Sequence, residues 1–163
     1  MLARSTRNLA RALAGATLLL AAAAAAASDT ATKDFKDSVG AAWIKAVKAG
    51  DLDGVVSLYA DDAIAWFPDE AEHRGSAAIR ASYRNMFDTY TVVDAALSDS
   101  HHLGDGRHRT NWGTFTLSLK QKADGKSIVM KGRYTDVQEK RGGHWVYIND
   151  HASTEPAPPA PGT

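Results

Sequence analysis

Ala49-Gly50-Asp51-Leu52-Asp53-Gly54-Val55-Val56-Ser57-Leu58-Tyr59-Ala60-Asp61-Asp62-Ala63 is the stretch on which the fold turns. Gly50 stands where a helix commonly stops, and Asp51 or Asp53 can cap a second, short helix. Val55, Val56, Leu58 and Tyr59 then face inward, and this helix ends before the Asp61-Asp62 pair. Upstream, Phe35, Val39, Ala42, Trp43, Ala46 and Val47 recur at helical spacing, which predicts an amphipathic helix from Asp34 to Ala49. Downstream, Ala63 to Phe67 reads as a buried strand closed by Pro68. Ser76 is placed to cap a third helix with Ile79, Tyr83 and Phe87 on one stripe.

Beyond Thr89 the apolar period changes from helical to two. Segments Tyr90–Leu103, Arg107–Lys120, Ser127–Lys140 and His144–Ala152 are separated by Gly104-Asp105-Gly106, Ala123-Asp124-Gly125 and Arg141-Gly142-Gly143. They predict an antiparallel meander of four long strands. Helices first and a sheet afterwards make an α+β layer architecture, with three helices packed on one face of a curved antiparallel sheet. Such a cone has a mouth suited to a small molecule. Its walls come from the first helix, the Trp66 strand and the inward rows of the last two strands.

The two ends read differently from this core. Residues 1–27 carry Arg4, Arg7 and Arg11 without an acid, an apolar run from Ala12 to Leu20, and small residues from Ala21 to Ala27. That is the pattern of a cleaved signal peptide, so a periplasmic or secreted protein is expected, with no membrane attachment after cleavage. Thr154 to Thr163 holds four of the five prolines and reads as an extended, disordered tail. The domain is expected over residues 32–153. The chain has 19 basic and 19 acidic residues, and without the three leader arginines it has 16 against 19, near −3. A weakly acidic chain lacks the electrostatic footprint of a nucleic-acid partner. The absence of cysteine excludes disulfides, thiolate metal sites and a cysteine nucleophile.

The Ala49–Ala63 string, with Gly75 and Ala78-Ile79, resembles the front half of ketosteroid isomerases and of the wider nuclear transport factor 2-like superfamily. Thr135-x-Val137, Gly143-x-Trp145 and His151-x-Ser153 resemble the final hairpin of SnoaL-like proteins and of the calmodulin-dependent kinase association domain. The resemblance implies the cone-shaped nuclear transport factor 2-like fold. It does not fix a function, because the superfamily holds isomerases, dehydratases, cyclases, ligand binders and oligomerisation modules.

The isomerase chemistry that the resemblance implies needs a tyrosine on the first helix, an acid on a late strand and an aspartate before the proline that Pro68 matches. Those positions read Trp43, Thr135 and Phe67. Phe67 cannot accept a proton. Asp136 and His151 are the alternative bases, with Arg133, Tyr134 and Asn149 at the rim. Parity decides which of them face inward. If Gly142-Gly143 form a two-residue turn, Tyr134 lies opposite His151 and Asp136 opposite Asn149, with Thr135 and Arg133 on the other face. One bulge reverses that relation.

Trp43, Tyr59, Trp66 and Phe67 can cage an apolar ligand or simply fill the core. His151 with Ser153 can be an active pair or a tie at a strand end. Asp136 can be a base or the partner of Arg133 or Arg109. His101, His102 and His108 alternate across a strand and complete no ligand set, and the Asp69, Glu70, Glu72 and His73 loop reads as solvated, so no metal is expected. No phosphate loop, nucleotide fingerprint or Ser-His-Asp pattern calls for a cofactor. The expectation is a domain that binds a small, partly apolar molecule, with a homodimer formed through the exposed sheet face. A cofactor-independent acid–base enzyme and an oligomerising interaction module are the alternatives.

Overall fold

The computed structural model describes residues 38–156. The expected signal peptide, the start of the first helix and the tail from residue 157 onward lie outside the described residues. Helix α1 (Val39–Ala49) and the short α2 (Leu52–Val56) lead into strand β1 (Tyr59–Trp66). Strand β2 (His73–Arg74) and helix α3 (Gly75–Thr89) follow. Then come β3 (Tyr90–Gly104), β4 (His108–Gln121), β5 (Ser127–Arg141) and β6 (His144–Thr154). No described helix is long and apolar enough to cross a membrane.

The fold is α+β, with the helices packed on a six-stranded sheet in the order β2-β1-β6-β5-β4-β3. The expected four-strand meander is β3 to β6. Beside it, the strand expected at Ala63–Phe67 is the end of β1, without Phe67, and runs parallel to β6, with Ala65 opposite Asp150 and Trp66 opposite His151, while the unexpected β2 pairs antiparallel with β1. Of the two candidate caps, Asp51 is the one that caps α2, accepting from the Gly54 amide at 2.8 Å. The short helix ends earlier than expected. The Tyr147 amide donates to the Leu58 carbonyl at 2.8 Å, so β6 takes hold of the chain at the turn and makes Tyr59 and Ala60 the first residues of β1.

Ser76 does not cap α3. The helix begins at Gly75, whose φ of 80° brings its backbone against β1, where a Cβ would stand 3.0 Å from the Asp61 carbonyl oxygen. Ser76 Oγ instead donates to Asp61 Oδ1 at 3.4 Å.

The core lies between the helices and the inner face of the sheet. Val47 of α1, Val55 of α2 and Ile79 of α3 are its largest wholly buried side chains, set against Ala63 and Ala65 of β1. Small residues on β1 let α3 approach closely, while Val92, Ala95, Phe115, Leu117 and Leu119 continue the core along β3 and β4. The amphipathic pattern of α1 thus buries Val39, Ala46 and Val47 and leaves Lys45 and Lys48 outside.

Candidate functional site

The decisive local feature is a bulge in β6. From the Gly142-Gly143 turn the β5–β6 ladder pairs Lys140 with Trp145 and Gln138 with Tyr147, the register of a simple two-residue turn. Val137 then pairs with Asn149, which leaves Ile148 as the extra residue. Past this point Asp136 stands opposite Asp150, Thr135 opposite His151 and Tyr134 opposite Ala152. Two cross-strand rows result, one residue apart. Ala65, Asp150, Asp136 and Asn111 share the inner face, and Trp66, His151, Thr135 and Trp112 share the outer one.

The inner row opens on a cavity of about 190 Å³. Trp43 of α1, Phe67 and Glu70 of the loop after β1, and Ser82, Tyr83 and Met86 of α3 form its helical wall. Phe115, Leu117, Met130, Tyr134, Asp136, Tyr147, Asp150 and Ala152 form the sheet wall. Most of this surface is apolar or aromatic, as in small-molecule sites generally.

A hydrogen-bonded chain runs across it. Trp43 Nε1 donates to the Tyr83 hydroxyl at 2.8 Å, the Tyr83 and Tyr59 hydroxyls meet at 2.9 Å, and Tyr59 donates to Asp150 Oδ2 at 2.6 Å. The indole can only donate, and the single Tyr59 proton is committed to Asp150, so Tyr83 donates to Tyr59. All proton positions therefore run from Trp43 to Asp150. Burial raises Tyr59, Tyr83 and Tyr147 above the ordinary phenol range, so all three remain donors at neutral pH.

Asp136 is 4% exposed, and its Oδ1 accepts from Asn111 Nδ2 at 2.6 Å and from Gln138 Nε2 at 2.8 Å. Oδ2 has no hydrogen-bond partner among the described residues. Burial pushes this carboxyl up to about 7, and the Asp150 charge adds to the effect against the opposing amides and Arg109. Burial likewise pushes Asp150 up to about 6, opposed by the Tyr59 hydrogen bond and the His151 charge. Two carboxyls that exchange protons near neutrality thus face one apolar cavity, and either can act as acid or base on a bound molecule.

Of the residues singled out in the sequence, Trp43, Phe67, Tyr134 and Asp136 line this cavity. Tyr59 joins it through Asp150. Trp66, Thr135, Asn149 and His151 line a separate open groove, which Phe67 and Ala152 also reach. Arg133 is exposed on the outer row beside Ser153. The structure does not bring His151 and Asp136 onto one face. Arg109 stacks 4.1 Å over the Trp145 ring, and no ion pair joins it or Arg133 to Asp136. Asp150, Tyr83, Tyr147, Asn111 and Gln138 were not singled out. Asp150 carries the one available signal, an acid in a strand row that otherwise alternates toward the core. Among the described residues no three His, Asp or Glu side chains converge as metal ligands.

A sequence model of the SnoaL-like domain matches residues 41–148, from α1 to the bulge in β6. The chain belongs to the SnoaL-like domain family.

Solved structures carry the same fold. The SnoaL-like chain is similar to a protein of Xanthomonas campestris, provisionally named as a calcium/calmodulin dependent protein kinase II association domain, at 26% identity and a TM-score of 0.63. That match covers 70% of this chain and 81% of the other. A ketosteroid isomerase-like protein of Erwinia carotovora atroseptica is 17% identical, with a TM-score of 0.66 over 73% of this chain and 92% of that one. A protein of Novosphingobium aromaticivorans, provisionally named scytalone dehydratase, is 11% identical, with a TM-score of 0.69 over 78% and 88%. The last two likenesses concern the fold alone.

Proposed function

We propose that this SnoaL-like protein is an exported domain that binds a compact, partly apolar molecule in the cavity between α1, α3 and the sheet. One observation carries the reading: apolar walls around about 190 Å³ meet two carboxyls on a single inner row. An apolar cavity of roughly 150 Å³ accommodates benzene, so the volume suits one substituted ring. The leader sequence of residues 1–27 supports a periplasmic or secreted location. Trp66, Trp112 and Val129, exposed at 37%, 40% and 61%, support a homodimer formed through the outer face of the sheet.

A second reading is favoured by the free Oδ2 of Asp136. In it the bound molecule undergoes cofactor-independent proton transfer of the isomerase or dehydratase kind, with Asp136 as the base or acid. The binding reading is tested by native mass spectrometry of the exported protein and by methyl NMR of Met130 and Leu117 during titration with single-ring fragments. A co-purified small molecule, or fragment shifts confined to the cavity methyls, is expected. A protein that is always empty and shows no such shifts overturns it. For proton transfer, solvent deuterium should enter a bound ring ketone and stop doing so in Asp136→Asn; exchange at an unchanged rate in that variant refutes the second reading.

A further inference from the structure

We infer that the cavity selects a compact organic cation, a ring bearing a protonated amine, over neutral and anionic molecules of the same shape. The inference rests on the binding reading above and names the class of molecule bound.

Among the described residues the cavity wall carries three carboxyls, on Glu70, Asp136 and Asp150, and no Lys, Arg or His. Glu70 already has its partners: His73 Nε2 lies 2.8 Å from its Oε2, and Ser82 Oγ donates to the same oxygen at 2.7 Å. The other two have no ion-pair partner among the described residues, and the Arg109 and His151 charges act on them only from outside the cavity lining. Asp136 receives two neutral amide donors on one oxygen, and Asp150 receives one phenol. They stand directly opposite each other on β5 and β6, where like charges repel. A ligand that brings one positive charge relieves the repulsion and the cost of desolvation together. A carboxylate ligand would add a third uncompensated charge.

A further polar group points to the same ligand. Tyr147 is 4% exposed, lines the cavity, and its hydroxyl has no hydrogen-bond partner among the described residues. Its oxygen can accept from an ammonium N–H in the cavity that Asp136 and Asp150 also line, where Asp136 Oδ2 and Asp150 Oδ1 are likewise without hydrogen-bond partners among the described residues. The surrounding rings of Trp43, Phe67, Tyr83, Phe115 and Tyr134 suit a cation and the hydrocarbon that carries it.

The charged and titratable groups facing the pair from their neighbours are few. Tyr134 and Tyr147 come from β5 and β6, Tyr59 from β1 and Tyr83 from α3, all of them protonated. Arg109 of β4 is stacked on Trp145 outside the cavity lining, and His151 belongs to the outer row. Burial keeps the pair protonated below about pH 6 to 7. An ammonium favours the ionised forms, so amine binding releases protons and tightens as pH rises through that range.

Benzylamine, benzyl alcohol and benzoate, titrated into the full protein at about pH 5 and about pH 8 by calorimetry and NMR, test this. Benzylamine is expected to bind on the order of tenfold more tightly than benzyl alcohol at the higher pH, with the preference shrinking at the lower one. Benzoate is expected not to bind. Asp136→Asn and, separately, Asp150→Asn should each shrink the ratio of benzylamine to benzyl alcohol affinity toward one. Alcohol or benzoate binding as well as the amine at about pH 8, or an amine preference untouched by both variants, overturns the inference while the binding reading stands. No binding by any of the three also overturns the inference, and the binding reading is then decided by the native mass spectrometry above.

Discussion

Asp136 and Asp150 face each other across the β5–β6 ladder because β6 accommodates one extra residue, Ile148, between Tyr147 and Asn149. Without it, the register of the Gly142-Gly143 turn would set Asn149 opposite Asp136. The bulge therefore turns Asp150 into the cavity and His151 out of it. A like-charged pair on adjacent strands is a local cost, and such costs collect where a protein handles a ligand.

The floor beneath this pair depends on Gly132. A Cβ there would overlap the Ser153 carbonyl oxygen and stand 2.5 Å from Phe115 Cε1, so the Phe115 ring lies across β5 only because position 132 has no side chain. Gly132→Ala should destabilise the protein by ~1–3 kcal/mol, read from urea denaturation. It should also broaden the NMR signals of Phe115 and Met130. An unchanged midpoint would show that the strand relaxes freely around the added methyl.

Trp43 anchors the chain of donors that ends at Asp150. Trp43→Phe keeps a ring at the cavity wall but removes the proton that Tyr83 accepts. A loss of ~1 kcal/mol in chemical denaturation is expected, with the fold retained by circular dichroism. Stability equal to the parent would mean that Tyr83 finds another donor.

The parts of the fold legible in the sequence are those set by local periodicity. The α1 stripe, the Asp51 cap and the four long strands follow from residues a few positions apart. The parallel pairing of β1 with β6 joins segments more than eighty residues apart, and no local pattern encodes it. Tyr59 has the apolar character of a helix tail, but the partner that makes it a strand residue is Tyr147. The site was legible to the same degree. Trp43, Phe67 and Asp136 could be picked out by type and element, whereas the facing of Asp150 and His151 depended on a single inserted residue whose position the Gly-Gly turn does not reveal.

Tyr59→Phe removes the only hydrogen bond to the Asp150 carboxyl among the described residues, and the acceptor for Tyr83. The charged form of Asp150 loses its support, so its pKa should climb above about 6, visible in a carboxyl carbon-13 titration. Stability at neutral pH should fall by ~2 kcal/mol, because the lost bond is charge-assisted and partly buried. A carboxyl that still titrates at about 6 would place the support elsewhere, in the His151 charge.

The raised carboxyls also shape the pH dependence of stability. Asp136 and Asp150 titrate at about 7 and about 6 in the folded state, against an ordinary aspartate value of 3.8. Between these limits the folded chain binds more protons than the unfolded one, so their contribution is fully present below about pH 4 and is lost as pH rises toward 7. Glu139, Asp62, Asp94 and Asp105 act in the opposite sense. Hydrogen bonds to Arg141, Lys48 or backbone amides hold them below the usual range, so their contribution is lost as pH falls below about 4. Stability should therefore peak at about pH 5 and decline by a few kcal/mol, on the order of 2–4, by about pH 8. Asp136→Asn keeps the shape and an acceptor for Asn111 and Gln138 while removing the ionisation. It should flatten the decline and exceed the parent in stability at about pH 8, as measured by thermal and urea unfolding across the range. A parent stability that climbs steadily to about pH 8 would show that both carboxyls are already ionised in the folded protein, with their charge stabilised from within the cavity.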